Sequence, residues 1–367
     1  MNRVSQLDSL RGLATLGLLL LNVYYLALFE SGYIPSVNPP FSDMIIQYAN
    51  ILLLDSRFRS IFCMLFGAAL ALQYSKCLNE GALKPRLIAL TIFGALHGIL
   101  IWPGDIILSY GIAGFLALTY LQQSDQRVLY HGSAIFVASC ILLLILSLVD
   151  SSDVYYRNSA KFEEMLTHAP VDLFSLLIHN ITMFVVMLLM LPILTLWNAL
   201  GIMLIGIYCY RNDTFINGLS KRAFSLILSF IVLLSTVSST LEYIDSNKFA
   251  AINESITWLN ALFGALLIAH INAKVSATNK LVKALQAVGK LALTCYLLQS
   301  IVMITFFVWF APEARLTFNR IDYVLLALFG IGVQLVIAPL YLKYFTQGPF
   351  ERLLKLLTLQ LAKNNSI

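Results

Sequence analysis

The residues of this chain best suited to chemistry lie in one short run, His97-Gly98-Ile99-Leu100-Ile101-Trp102-Pro103-Gly104-Asp105. His97 falls inside an otherwise apolar helical stretch, about five residues and so roughly 7–8 Å from its outer end. Pro103-Gly104 is a turn signal. Asp105 opens the next helix, where a carboxylate suits the positive end of the helix dipole. A tight hairpin would bring Asp105 and Tyr110 beside His97. An imidazole held by a carboxylate is a competent general base at neutral pH. A packing role fits the same spacing equally well, because Gly94 and Gly98 form a small-xxx-small face across which His97 could simply hydrogen-bond.

Other polar groups at membrane depth are fewer and each has a plainer use. Arg57 and Arg59 sit at the outer mouth of a helix, where they either bind an anionic group or snorkel to the interface. Asp8 and Arg11 are spaced i, i+3, which allows an ion pair on one helix face. Asn22 interrupts an apolar run and needs a partner, most simply across a helix interface. His131 and His168 read as loop-edge residues, His179 and Asn180 as water-facing, and His270 as a helix-end imidazole. Five dispersed cysteines show no CxxC or Cys/His spacing, so no metal site and no disulfide is expected. No GxxxxGK[ST], GxGxxG or GxSxG motif is present, which argues against ATP-driven transport by this chain alone.

What must position these residues is a stack of membrane helices. Of 367 residues, 59% are hydrophobic and only 12% charged, against roughly 25% charged in a soluble domain. Mean hydropathy is +0.81. Apolar blocks at 10–29, 131–149, 224–241 and 291–310 approach the roughly 17–25 residues of a bilayer crossing. They lack the alternation of barrel strands. The expected fold is an all-α polytopic transmembrane helical bundle of about ten transmembrane helices, in one domain over residues 1–367. The first apolar block reads as a retained helix, since no small-residue cleavage site follows it.

The net charge of +5 reports orientation and implies no nucleic-acid partner. Basic residues cluster at the N-terminus, at 76–86, at Arg127, at 211–222, at 274–283 and in the tail, while the intervening loops are acidic or mixed. The positive-inside rule then puts both termini in the cytoplasm. The resulting even count requires residues 171–210 to cross once. The expectation there is an interfacial stretch over 171–183 leading into one long helix kinked at Pro192. Residues 44–54 are expected to be interfacial too.

Several segments together resemble the YeiB-type membrane proteins. The opening Leu7-Asp8-Ser9-Leu10-Arg11-Gly12, with Leu16-Gly17 and Asn22, carries the first part. Arg57-Phe58-Arg59-Ser60-Ile61-Phe62, Leu65-Phe66-Gly67, Phe93-Gly94-Ala95-Leu96-His97-Gly98, Trp102, Gly104-Asp105-Ile106 and Tyr110-Gly111 follow within residues 1–150. In the C-terminal signature region, 171–360, the matching residues are Val288-Gly289-Lys290, Ala292-Leu293-Thr294, Tyr296-Leu297, Gln299-Ser300 and Gly348-Pro349-Phe350-Glu351. Lys290 and Cys295 stand where the family pattern has Arg and Asn, and Phe350 where it has Leu.

The LDxxRG opening is similar to that of the transmembrane acyltransferase superfamily, which includes heparan-alpha-glucosaminide N-acetyltransferase. This resemblance implies a multi-pass protein of the bacterial cytoplasmic (inner) membrane that moves an acyl group from cytoplasmic acyl-CoA, acetyl-CoA among the options, to an envelope glycan or lipid acceptor. Under it, His97 is the base oriented by Asp105, and Arg57 or Arg59 meets developing negative charge or an anionic acceptor. Asp8 and Arg11, with Asn22 and Tyr110, shape the donor's path. Membrane lipid is a partner, and a homodimer is compatible. Two other readings remain open at this point: a transporter using His97 and Asp105 as a proton relay, and a non-catalytic lipid- or protein-binding scaffold.

Overall fold

The computed structural model describes residues 3–29, 31–54, 56–149, 156–167, 169–245, 249–275 and 279–364. Among them the fold is helical throughout, and eight helices are long and apolar enough to cross a membrane. The protein is an all-α polytopic membrane protein. The end of the bundle that holds the first turns of α1 is called inner below, and the opposite end outer. Asp55 and His168 lie outside the described residues.

α1 (Arg3–Ala27) runs from the inner to the outer end. α2 (Phe41–Ala49) and a π turn over Asn50–Leu54 follow at the outer end. α3 (Arg57–Cys77) returns, and α4 (Lys84–Leu100), with Pro85 in its first turn, goes back out. α5 (Ile106–Leu118) and α6 (Asp125–Val149) complete the N-terminal part.

α7 (Ala160–Thr167) is short, and α8 (Leu173–Leu194) precedes α9 (Leu196–Arg211) and the single turn α10 (Thr214–Asn217). α11 (Lys221–Asp245) and α12 (Ala250–Lys274) form a hairpin. α13 (Lys280–Lys290) is amphipathic, α14 (Ala292–Thr305) continues it beyond a bend at Leu291, and α15 (Ala314–Thr317) is one turn. α16 (Arg320–Tyr344) leads to the amphipathic α17 (Pro349–Asn364). Arg11 of α1 and Glu351 of α17 border one cavity, so the N-terminal helix begins at the end where α17 lies.

Residues 171–210 depart from the expected single kinked helix. The Asp172 carboxylate accepts the Ser175 N–H at 2.7 Å, and Ser175 Oγ in turn accepts the Asp172 N–H at 3.1 Å. This capping box starts α8 at Leu173, and nothing in the Leu/Ile/Val/Met run that follows interrupts it, so no separate interfacial stretch ends at Met183. Pro192 sits inside α8, and the break comes three residues later at Thr195 (φ −116°, ψ −26°). Despite its length, α8 keeps to the outer end. Asn180 Nδ2 donates to the Ile101 carbonyl at 3.0 Å, and Phe184 covers Gly98. α9 makes the descent, buried along α3, α5 and α6. Its last residue, Arg211, donates to the Gln123 carbonyl (2.9 Å) and meets Asp125 (3.2 Å) at the inner end.

The N- and C-terminal sequence signatures meet at the inner end. A Cβ at Gly12 would stand 1.9 Å from the Leu285 carbonyl oxygen, and one at Gly289 would stand 1.8 Å from that of Asp8. α1 and α13 therefore cross backbone to backbone, and glycine is required on both sides.

Candidate active site

α4 and α5 form the hairpin that the sequence predicts. Asp105 caps α5: its Oδ2 accepts the Leu108 N–H at 2.8 Å. Its other oxygen, Oδ1, lies 2.9 Å from His97 Nδ1, and both side chains are sealed from solvent. An ionised carboxylate only accepts hydrogen bonds, so the proton of a neutral His97 sits on Nδ1 and the lone pair on Nε2. His97 Nε2 is itself buried and has no hydrogen-bond partner among the described residues. A fixed tautomer with a bare Nε2 is the geometry of an oriented general base.

The glycines of the alternative reading are present too, and they serve the same pair. A Cβ at Gly94 would lie 2.7 Å from Asp105 Oδ2 and 2.3 Å from the Leu108 nitrogen. The small-residue face of α4 is thus what lets the capped start of α5 come within reach of His97.

Tyr296 of α14 joins the pair. Its hydroxyl donates to Asp105 Oδ1 at 3.3 Å, and its ring packs against His97 with centroids 5.4 Å apart. From sequence, Tyr296 stands out only as part of the C-terminal signature, and nothing in its spacing announces a contact 191 residues away. Tyr110 points elsewhere: its hydroxyl donates to the Arg59 carbonyl at 3.0 Å.

Two cavities flank this cluster. The inner one, about 170 Å³, has a polar mouth at Arg11, Arg86, Lys290 and Glu351 and a largely apolar wall that includes Phe62, Phe66, Leu90 and Leu293. It ends at Tyr110 and Tyr296. The outer one, about 220 Å³, is bordered by Arg59, Ser60, Asp105, Tyr110 and Trp258, with a wall from α8. Asp105 and Tyr110 stand in the outer lining, Tyr110 and Tyr296 in the inner one. The imidazole of His97 lies behind Asp105 and Tyr296 and lines neither.

The remaining predicted residues separate. Arg59 faces the outer cavity with its guanidinium 3.8 Å from the Trp258 ring centroid. Arg57 is buried, donates to the Ile51 carbonyl at 3.1 Å and fills the space left by Gly264; it borders neither cavity. Asp8 pairs with Arg11 at 3.1 Å, and Arg11 reaches the inner mouth. Asn22 borders neither cavity. His270 accepts the Leu219 N–H at 2.9 Å and His179 stacks edge-on to Phe29, both away from the cluster. Glu351 accepts the Thr294 N–H at 3.0 Å, pinning the start of α14 beside Lys290. Among the described residues no three His, Cys, Asp or Glu side chains converge as metal ligands would.

Comparison with known proteins places these features in a wider set. Residues 209–360 match the family described as "Protein of unknown function (DUF418)". Along nearly its whole length the chain is similar to "Uncharacterized protein YeiB" of Escherichia coli (strain K12), at 28% identity over 99% of this chain and 98% of that protein. It is also similar to YxaH of Bacillus subtilis (strain 168), at 23% identity over 95% and 92%. A third relative, a 39.9 kDa protein in the amylase 3' region of Bacillus acidopullulyticus, is 24% identical over 97% and 94%. No solved structure matches the chain. The likeness spans both the His97–Asp105 hairpin and the α13–α17 signature that closes over it, so the chain is similar to the YeiB-type membrane proteins along nearly its whole length.

Proposed function

We propose that this protein is an acyltransferase of the bacterial cytoplasmic membrane, taking its acyl group from cytoplasmic acyl-CoA and passing it to an envelope glycan or lipid acceptor. The observation that carries the reading is the oriented His97–Asp105 pair between two cavities that open toward opposite ends of the bundle. The positive-inside pattern makes the inner end cytoplasmic. There Arg11, Arg86 and Lys290 offer cationic partners for the phosphates of CoA, and the apolar wall suits the acyl-pantetheine arm.

In the step itself, His97 Nε2 takes the proton of the acceptor hydroxyl or amine as that atom bonds to the thioester carbonyl carbon. The C–S bond then breaks, and Nε2–H returns the proton to the CoA thiolate. Asp105 keeps the imidazole in the right tautomer and stabilises the transient imidazolium, as a buried carboxylate does in a catalytic triad. The Tyr296 hydroxyl, whose 3.3 Å bond to Asp105 is long for O–H···O, is the donor best placed to turn toward the oxyanion. Because Tyr296 covers His97 on the inner-cavity side, the reaction needs its ring to shift when the thioester arrives.

The test is acyl-CoA consumption by purified protein in sealed vesicles, followed as thiol release. The expected result is turnover in the native protein and loss of turnover in His97→Ala with an unchanged thermal midpoint. Equal turnover in that variant would remove His97 from the chemistry. Uptake of a solute without acyl-CoA would instead favour transport.

A further inference from the structure

The outer cavity is built for more than access. Arg59 projects into it, held flat against Trp258 at 3.8 Å and tethered by a 2.9 Å bond from its guanidinium to Ser56 Oγ. Among the described residues no carboxylate comes within salt-bridge distance of this guanidinium. Beside it, Ser60 is 1% exposed, and its Oγ has no hydrogen-bond partner among the described residues. A planar cation stacked on an aromatic ring, next to a buried unused hydroxyl, is a fork waiting for a phosphate or carboxylate.

The opposite wall has the opposite chemistry. Phe184, Met187, Met190, Leu191 and Leu194 of α8 face the cavity. Met187 and Met190 are at the same time 39% exposed on the outside of the bundle. α8 as a whole is a lipid-type helix with only 17% of its apolar window buried. The cavity is therefore separated from the bilayer by flexible methionines on a single helix, a wall that admits an alkyl chain. A water-soluble sugar would find few partners along it.

We propose that the outer cavity binds an anionic amphiphile from the surrounding leaflet, its phosphate or carboxylate on Arg59 and Ser60 and its alkyl chain against α8. This rests on the acyl-transfer reading for its consequence, that the acceptor is a lipid or lipid-linked molecule, but the binding itself requires no acyl-CoA. The bound headgroup lies beside Asp105 and Tyr110, so a hydroxyl one or two bonds from the anionic group is held at the outer-cavity face of the cluster that contains His97.

The probe is dodecyl phosphate brominated at its chain end, titrated into the full-length protein in neutral detergent while tryptophan emission is read. The expected result is saturable quenching that Trp258→Phe removes in part. Arg59→Gln should weaken binding by about ten-fold or more, while Met190→Trp, which fills the chain's path without touching the headgroup site, should weaken it independently. Brominated dodecanol should bind about ten-fold more weakly than the phosphate. Quenching unaffected by either variant would overturn the site. Displacement of the probe by inorganic phosphate at equal concentration would overturn the lipid source in favour of a free anion, and displacement by a water-soluble acidic glycan would overturn it in favour of a glycan. Binding that follows the expected pattern in a protein that consumes no acyl-CoA would leave this inference standing and remove the acyl-transfer reading alone.

Discussion

At the residue scale, the hairpin's chemistry depends on one hydrogen bond and one cap made by the same carboxylate. Asp105 uses Oδ1 for His97 and Oδ2 for the Leu108 N–H. Asparagine caps helices about as well as aspartate, but its amide can present an N–H to the imidazole and favour the wrong tautomer. Asp105→Asn is therefore expected to keep the thermal midpoint close to that of the native protein while turnover falls by about 10³–10⁴, the scale seen for a triad carboxylate. Thiol release and a melting curve on the same preparation separate the two effects. An equal loss in both would mean that Asp105 serves α5 and nothing else.

At the element scale, two predictions follow from how helices start and cross. The Asp172 carboxylate is fully exposed, and the hydrogen bonds it accepts from Ser175 hold its pKa below the ordinary aspartate value. A group depressed in the folded state contributes its stabilisation above its unfolded pKa and loses it as the pH falls through the folded one. The amide hydrogens in the first turn of α8 should therefore lose protection, measured against their intrinsic exchange rates at each pH, as the pH falls through the low end of the carboxylate range. Asp172→Ala should show that lower protection already at neutral pH, with no further loss of protection on acidification. The second prediction concerns the α1–α13 crossing. Leucine at Gly289 would drive a side chain into the Asp8 carbonyl, and overpacking of this kind costs about 1–3 kcal/mol even where side chains can give way. Gly289→Leu should lower the melting temperature or abolish expression. Gly332→Ala, where nothing lies within 4 Å of an added Cβ, should be close to neutral.

At the scale of the whole molecule, the proposed orientation would tie the two cavities to two compartments. Four of the five cysteines, Cys63, Cys140, Cys209 and Cys295, are buried, and Cys77 is exposed at the inner end of α3. A membrane-impermeant maleimide should label intact cells poorly and inside-out vesicles well, at Cys77. Labelling of intact cells would reverse the orientation and move the basic mouth of the inner cavity outside. The outer end is tied together as a unit by Arg157, which donates to the carbonyls of Ile34 (2.9 Å) and Thr317 (3.2 Å) and to that of Phe318. A buried guanidinium holding two loops by their backbones, at Ile34 and at Thr317-Phe318, ties the segment before α7 to those before α2 and α16.

The helical membrane class, the helix hairpin and its His–Asp pair were legible in the chain because each is local. Apolar blocks of bilayer length can hide their backbone only as helices or closed barrels, and eight residues around a Pro-Gly turn leave His97 and Asp105 few places to be except together. The even count needed residues 171–210 to cross once; the structure divides them into α8, long and apolar enough to span a membrane, and α9, which runs on to the inner end, and the position of the bend was not readable. A proline weakens a helix without saying which residue yields, and here Thr195 does. Everything that makes the pair a site came from afar. Tyr296 reaches Asp105, Trp258 flattens Arg59, and Glu351 pins α14, all through packing between helices that one-dimensional spacing does not encode. Arg57 and Arg59 look alike in sequence, two residues apart at one helix start. Only the tertiary fold decides that one is buried under Gly264 and the other faces a cavity, because a step of two residues on a helix is a turn of about 200°.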